Sequence, residues 1–187
     1  MTRKTRSDAE DNRRHVVDVA RAAFAADGLD LPMREIARRA GFGVATVYRH
    51  FPSRQDLVSA VLAAQAARCG EDMRAALADP DSRRALSGLV RRFGERQVSD
   101  RGLTTALLGA HPAFDDQRRA HADAFARLVR RARDDGAVRE TVTVQDARLA
   151  LTAIAALRTL PADRAASAVR KLTDLLLTGV LRDEPML

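Results

Sequence analysis

Residues 32–56 read PMREIARRAGFGVATVYRHFPSRQD, and their spacing predicts two short helices joined by a tight turn. Ala37 stands where two crossing helices require a small side chain, and Gly41 follows where a left-handed C-cap favours glycine. Val47, six residues further on, can pack back against the first helix. These features in register indicate a helix-turn-helix, a motif that places its second helix in the major groove of DNA.

The charge of this stretch supports the same interpretation. Between residues 34 and 54 there are five arginines and a single acid, Glu35. The whole chain of 187 residues has a formal net charge of +7, but that charge is spread along its length. The local cluster is therefore a better indication of a polyanionic partner than the net charge. All basic residues except Lys4 and Lys171 are arginines, which either DNA binding or a GC-rich coding bias explains.

Composition excludes several classes of protein. A content of 46% hydrophobic and 30% charged residues predicts a soluble chain with a packed core. No apolar run is long enough to span a membrane, no signal peptide is evident, and the single cysteine, Cys69, cannot form an intrachain disulfide; a cytoplasmic location is expected. The four histidines show no metal-ligand spacing and no nucleophile–base set emerges, so we predict no metal, no cofactor and no enzymatic activity.

Hydrophobic periodicity predicts an all-α fold, with no sustained alternation of the kind seen in strands. Three caps are expected: Asp30 before the second helix, Ser53 with Asp56 before the fourth, and Thr143 or Thr141 near the penultimate helix. A basic arm at 1–9, with Arg3, Lys4 and Arg6, is expected to be flexible. The predicted helices span 10–27, 33–40, 44–50, 54–77, 82–98, 101–110, a segment ending at Asp135, 145–159 and 162–182.

The last two predicted helices have apolar residues on more than one side, whereas a surface helix needs only one apolar face. Either they lie centrally in the monomer, or they pair with a second copy of the chain. We favour pairing. The residues expected at the dimer interface are Leu151, Leu172, Leu175, Leu176 and Val180.

Three motifs together identify a family. The sequence F-A-x-x-G at the end of the first helix, then EIARRAG, then Y-x-HF-P-S-R resembles the TetR family of bacterial transcriptional regulators over residues 12–62. The resemblance implies a helix-turn-helix DNA-binding domain at 10–53 and a helical ligand-binding and dimerisation domain at 54–187. It also implies that the last two helices form a four-helix bundle in a homodimer. One departure is that Leu31 and Pro32 stand where the family often has a capping Ser or Thr.

Candidate DNA contacts follow from the motif and from the resemblance. Arg49 is expected on the exposed side of the third helix because Val47 and Phe51 must face inward, and its guanidinium could contact guanine or phosphate. Tyr48 and His50 match family positions that touch the phosphate backbone. The full set is Arg34, Gly43, Val44, Ala45, Thr46, Tyr48, Arg49, His50 and Arg54.

A small-molecule pocket is implied by the resemblance alone. Apolar residues at helical spacing are more often plain core than pocket lining, so both interpretations stay open. Arg158 interrupts an apolar run and could bind an anionic ligand or pair with an acid at the dimer interface. The candidate lining residues are Phe93, Leu107, His111, Phe114, Phe125, Leu128, Ile154 and Arg158.

These expectations combine into one hypothesis and two alternatives. The hypothesis is a ligand-responsive, dimeric repressor that a small-molecule inducer releases from a palindromic double-stranded DNA operator. The first alternative is a DNA-binding regulator without a small-molecule effector, or an activator. The second is a helical enzyme or protein-interaction module whose helix-turn-helix is incidental.

Overall fold

The computed structural model describes residues 2–100 and 115–182, and their side chains from Asp8 onward. This part of the chain is all-α, as predicted, and its only β pairing is one isolated antiparallel bridge between Val138 and Leu181. None of its helices is both long and apolar enough to cross a membrane. The helices are α1 (Thr2–Asp27), α2 (Met33–Ala40), α3 (Val44–His50), α4 (Arg54–Ala78), α5 (Ser82–Ser99), α6 (Asp115–Asp134), α7 (Val144–Ala156), which continues into a 3₁₀ turn (Leu157–Thr159), and α8 (Ala162–Val180).

Two compact units make up the chain. The first contains the residues up to Ala67 together with Asp100, and the second contains Arg68–Ser99 and the described residues from Asp115 onward. The sequence placed the domain boundary after Ser53. The first unit extends further because α4 has no glycine or proline before Gly70, and its Leu57 and Val61 are fully buried.

The core of the first unit is built from the apolar stripe of α1 and the short helices after it. Val16 and Phe24 of α1, Ile36 and Ala37 of α2, and Val47 of α3 are all fully buried. Burial of each large apolar side chain contributes about 1.5–3 kcal/mol relative to exposure. The absence of a large side chain at Ala37 lets α2 meet its neighbours closely, as the sequence predicted.

The turn between α2 and α3 has the predicted glycine cap. Gly41 adopts the left-handed conformation (φ 70°, ψ 20°), and its backbone N–H donates to the carbonyls of Ala37 and Arg38. The N–H of Phe42 also donates to the Ala37 carbonyl, which closes the end of the helix.

The capping box before α4 is also confirmed. The Ser53 backbone N–H and hydroxyl both donate to a carboxylate oxygen of Asp56, at 2.9 and 2.7 Å. In return, the Asp56 backbone N–H donates to the Ser53 hydroxyl oxygen at 3.1 Å. This arrangement satisfies two backbone donors that the start of a helix leaves without helical partners.

Two local predictions differ from the structure. Asp30 does not cap α2; the N-cap is Pro32, which makes no side-chain cap, and the Asp30 carboxylate instead pairs with Arg54 at 2.9 Å. The backbone of residues 2–9 continues α1, where the sequence predicted an arm. No glycine or proline interrupts residues 2–27, so the helical hydrogen bonds can extend towards the N-terminus.

The core of the second unit joins α5 to α8 at close range. Gly94 of α5 allows this approach, because a Cβ there would lie 3.0 Å from a methyl carbon of Val169 and 3.1 Å from the Thr173 hydroxyl. Ile154 and Leu128 are fully buried in the same cluster. The TVTV run at 141–144 is not a strand, since Thr143 caps α7 in a capping box with Asp146.

Arg131 of α6 fixes the C-terminal end of α4. Its guanidinium donates to the backbone carbonyls of Leu77 at 2.7 Å, Ala76 at 3.1 Å and Asp79 at 2.9 Å. Carbonyls in the last turn of a helix have no helical partner, and a cation there also interacts favourably with the helix dipole.

Candidate nucleic-acid interface

Helix α3 has one buried side and one exposed side. Val47 is fully buried and Phe51, directly after the helix, is 1% exposed. On the opposite side Val44 is 42% exposed and Tyr48 46% exposed, and Ala45 and Arg49 are exposed as well. A helix that leaves large apolar and aromatic side chains in water in this way presents a surface for a partner.

The position of α3 depends on α1 as well as on the turn. The imidazole of His15 packs edge-on against the Phe42 ring, with ring centroids 5.7 Å apart. Its Nε2 also lies at hydrogen-bonding distance, 3.2 Å, from the carbonyl oxygen of Ala40. These contacts tie the turn to α1, and they account for a histidine that the sequence left without a role.

Gly43 lies directly before α3, and the fold does not require a glycine there. Its φ of −65° and ψ of 144° are ordinary for any residue. A Cβ at Gly43 would meet no atom within 4 Å. The missing side chain therefore leaves space on the outside of the protein, next to the exposed side of α3.

Arg49 is oriented by its own helix. Its Nη2 donates to the Thr46 hydroxyl at 2.9 Å, and no acid within the described residues pairs with Arg49. Arg34, on the exposed side of α2, likewise has no ion-pair partner in that part of the chain. Both guanidiniums can therefore approach a phosphate or a base edge without first giving up a carboxylate.

Two other arginines of the motif are occupied. Arg38 makes a two-pronged contact with the Glu35 carboxylate at 2.8 and 2.7 Å, and Arg39 donates to Glu35 at 2.7 Å and to Asp27 at 2.6 Å. The hydrogen bonds from Arg38 and then Arg39 lower the pKa of Glu35 to about 2. Glu35 therefore stays ionised and organises α2, and among the described residues the motif's arginines without a paired acid are Arg34 and Arg49.

Arg54 forms an ion pair with a solvent-exposed acid. Its Nη2 lies 2.9 Å from the carboxylate of Asp30, which is fully exposed. Exposed pairs of this kind contribute about 0–1 kcal/mol, so a phosphate can replace the carboxylate at small cost. Arg54 is also the first residue of α4, where backbone N–H groups favour an anion.

The structure adds Arg13, a residue the motif did not indicate. Its guanidinium lies 4.9 Å from the centroid of the Phe51 ring, next to half-buried His50. The contact is a cation–π interaction that holds an exposed positive charge beside the end of α3. The available signal was its position one turn before Val16, a residue of the buried stripe of α1, although Arg13 itself is exposed.

Comparisons with known proteins match this architecture in both units. The family described as bacterial regulatory proteins, tetR family, matches residues 16–61. The SbtR-like C-terminal domain of transcriptional regulators matches residues 81–182, more than half of the chain. The chain belongs to the TetR family of bacterial transcriptional regulators. As a TetR-family regulator it binds DNA, and it is not an enzyme.

Solved structures of the TetR family resemble nearly the whole chain. A TetR regulator from Mycobacterium vanbaalenii is 32% identical, with a TM-score of 0.73, over 95% of this chain and 99% of that one. The regulator SCO0520 from Streptomyces coelicolor is 28% identical, with a TM-score of 0.71, over 92% and 99%. The regulator SrpR of Pseudomonas putida is 39% identical over 66 residues, which are 35% of this chain but only 31% of SrpR.

Most of the predicted pocket and dimer residues lie in the second unit, and they differ in how far their side chains are buried. Phe125, Leu128 and Ile154 are buried in the core cluster with Phe93 packed against it, and Arg158 donates to the Ala155 carbonyl at 2.9 Å. Leu107, His111 and Phe114 lie outside the described residues. The predicted dimer residues that are half-buried and pack against the core are Leu151, Leu172, Leu176 and Val180.

Two leucines of α7 and α8 are left mostly exposed by the part of the chain that the structure describes. Leu175, which the sequence assigned to the dimer interface, is 61% exposed, and Leu149, which it did not, is 65% exposed. Periodicity alone could not rank these residues, because both helices carry apolar side chains on several sides. Only the packing of α5 and α6 decides which of those sides faces inward.

Proposed function

We propose that this TetR-family regulator is a homodimeric repressor that acts in the cytoplasm and is released from its operator by a small molecule. The exposed side of α3, with Val44, Tyr48 and Arg49, is the observation that carries the DNA part of the proposal. Val44 and Ala45 would contact thymine methyl groups, and Thr46 and Arg49 would contact base edges or phosphate. Arg34, His50 and Arg54 would contact phosphates around them.

The exposed leucines support the dimer. Among the described residues the large apolar side chains left in water are Val44 and Tyr48 on α3, and Leu149 and Leu175 on α7 and α8. The first pair serves DNA in this proposal, and the second pair serves another copy of the chain. A two-fold dimer then presents two α3 helices, which requires a palindromic operator with half-sites about 34–36 Å apart.

The effector part of the proposal concerns the second unit. Its helical core would hold a small molecule, with Phe93, Phe125 and Arg158 among the lining residues. Helix α4 belongs to the first unit up to Ala67 and to the second from Arg68, so a change of its position in the second unit can change DNA affinity. A coupling free energy of about 1–3 kcal/mol between the two sites is typical of such regulators.

The experiment that tests the proposal is a fluorescence-anisotropy titration of the protein against the DNA that flanks its own gene. Non-specific competitor DNA is present, and the titration is repeated at several salt concentrations. The proposal predicts competitor-resistant binding with a steep salt dependence, because several arginines displace counterions from phosphates. If binding is lost to competitor, and selection from random DNA yields no palindromic site, the dimeric repressor is ruled out.

A further inference from the structure

Two arginines of α5 share a single carboxylate in the second unit. Arg92 Nε lies 2.9 Å from Asp72 Oδ1, and Arg96 also forms an ion pair with Asp72. The side chain of Arg96 is 19% exposed and that of Asp72 is 24% exposed. The group therefore has one positive charge more than its acid balances, and most of Arg96 is removed from water.

The excess charge is only partly hydrated, because the side chain of Arg92 is 41% exposed and that of Arg96 only 19%, so an anion that pairs with both guanidiniums would balance it. The described acids do not provide one, because only Asp72 pairs with Arg92 and Arg96. The sequence from 101 to 114 contains neither aspartate nor glutamate. Neither the described acids nor residues 101–114 balance the excess charge, which leaves the two guanidiniums able to pair with an anionic ligand.

His121 of α6 lies near this group, close enough for the charge of Arg96 to act on it. Burial, and then the nearby charge of Arg96, lower the pKa of His121 below its ordinary value, so its imidazole is neutral at pH 7. Its Nε2 lies 3.3 Å from the point where a Cβ on Gly70 would stand, so the ring packs against α4 where that helix has no side chain. A neutral imidazole can exchange a hydrogen bond with a ligand but adds no charge.

The residues next to these polar groups are apolar. Phe93 lies one turn before Arg96 on α5, Met73 lies one turn after Gly70 on α4, and both pack against the core cluster. Phe125 is buried one helical turn after His121, on the same side of α6. A ligand that reaches the arginines would therefore place the rest of its body against hydrocarbon.

We propose that Arg96 and Arg92 bind the anionic group of the effector, and that the effector is a carboxylate with an apolar body. A guanidinium matches a carboxylate with two parallel hydrogen bonds, and a single negative charge balances the single excess charge of the group. The site rests on the proposed function, since it specifies the class of small molecule that the second unit takes. Asp72 holds both guanidiniums in place while the ligand is absent.

The test measures binding of probe carboxylates to the full-length protein by isothermal titration calorimetry without DNA. Octanoate, benzoate and 2-naphthoate are each compared with the corresponding uncharged amide, and inorganic phosphate is tested as a small anion without an apolar body. At least one carboxylate should bind ten-fold or more tightly than its amide and than phosphate. If each carboxylate binds no better than its amide, or if phosphate binds best, the proposal is overturned.

Variants then separate binding from a structural role. Arg96→Gln should abolish the preference for the carboxylate, whereas Arg91→Gln, on the same helix and paired with exposed Asp174, should keep it. Asp72→Asn should strengthen carboxylate binding, because it removes the competing charge. If Arg92 and Arg96 only clamp α5 to α4, Asp72→Asn will lower stability and leave probe affinity unchanged, which overturns the proposal even if Arg96→Gln fails to fold.

Operator binding is measured separately without any probe. A protein that binds its operator but shows no preference for carboxylates contradicts the anion site and leaves the repressor intact. A protein that binds a carboxylate through Arg96 but no operator contradicts the proposed function and leaves the site intact.

Discussion

Two glycines in the turn before α3 have different reasons to be glycine. Gly41 adopts a left-handed conformation that an L-residue rarely takes, whereas Gly43 has dihedral angles that any residue accepts and empty space where a Cβ would be. The folded chain therefore explains Gly41 but not Gly43. A close approach of the Gly43 backbone to DNA would explain it.

Substitution of the two glycines tests this difference. Gly43→Ala should leave the free energy of unfolding unchanged or raise it by about 0.4–1 kcal/mol, because the unfolded chain loses freedom, and it should weaken operator binding. Gly41→Ala should lower the free energy of unfolding by about 1–2 kcal/mol, the cost of a left-handed alanine. Urea unfolding and anisotropy measure the two effects. Unchanged operator affinity in Gly43→Ala would show that this position does not touch DNA.

A buried acid near the end of α5 stabilises the first unit. Asp100 is 3% exposed and accepts hydrogen bonds from Arg21 of α1 at 2.8 Å and from Gln65 of α4 at 2.9 Å. The sequence did not predict this contact, because the three residues are far apart along the chain. Polar groups in such a position are costly when one partner is removed.

Removal of the Asp100 charge should therefore destabilise the protein. We expect Asp100→Asn to lower the free energy of unfolding by about 2 kcal/mol, less than the roughly 3–5 kcal/mol of fully buried pairs, because Arg21 is partly exposed. Asp11→Asn, which breaks an exposed pair with Arg14, is the matched control and should have little effect. Urea unfolding at fixed protein concentration measures both, and equal effects would contradict the role of Asp100.

At the scale of elements, most of the helices could be predicted because their signals are local. Gly41 and the Ser53–Asp56 box lie beside the segments that they terminate, and the structure has them where the sequence placed them. Asp30 failed as a cap because α2 begins after Pro32, two residues further along the chain, and the Asp30 carboxylate instead pairs with Arg54 of another element. Which side of α8 faces outward, with Leu175, likewise depends on packing against helices distant in sequence.

The start of α7 gives a pH-dependent prediction. Hydrogen bonds from the Thr143 hydroxyl and then the Thr143 backbone N–H lower the pKa of Asp146 below its ordinary value. The ionised carboxylate therefore stabilises the folded state at neutral pH, and this contribution is lost as the pH falls below about 3.9, the ordinary value for aspartate. The free energies of unfolding of the Asp146→Asn variant and the parent, measured with urea, should differ most at neutral pH. They should converge below about pH 3.9, where the carboxylate is protonated.

An aspartate without this cap provides the comparison. Asp123 is exposed on α6 and can be changed to asparagine in the same way. Its effect on unfolding should be small and should not follow the pH profile of Asp146→Asn. A difference between Asp146→Asn and the parent that is the same from neutral pH to below pH ~3.9 would contradict the capping argument.

For the whole molecule, the exposed leucines of α7 and α8 give the prediction. Leu149→Glu with Leu175→Glu should convert the protein to monomers at micromolar concentration, because two charges would be buried in the proposed interface. Arg130→Glu, on exposed α6 surface, should leave the dimer intact. Sedimentation velocity without DNA distinguishes the species, and a parent protein that is already monomeric would contradict the proposed interface.

The central claim is that the exposed side of α3 reads the operator, and its most direct test is anisotropy with the Tyr48→Ala/Arg49→Ala variant. Arg130→Ala, an arginine in the second unit, controls for the loss of one positive charge. We predict that the double variant loses specific binding, while Arg130→Ala binds as the parent does. If Arg49 contacts a base, its loss alone should weaken the free energy of operator binding by about 1–3 kcal/mol. Operator binding by the double variant with unchanged affinity and specificity would contradict the account.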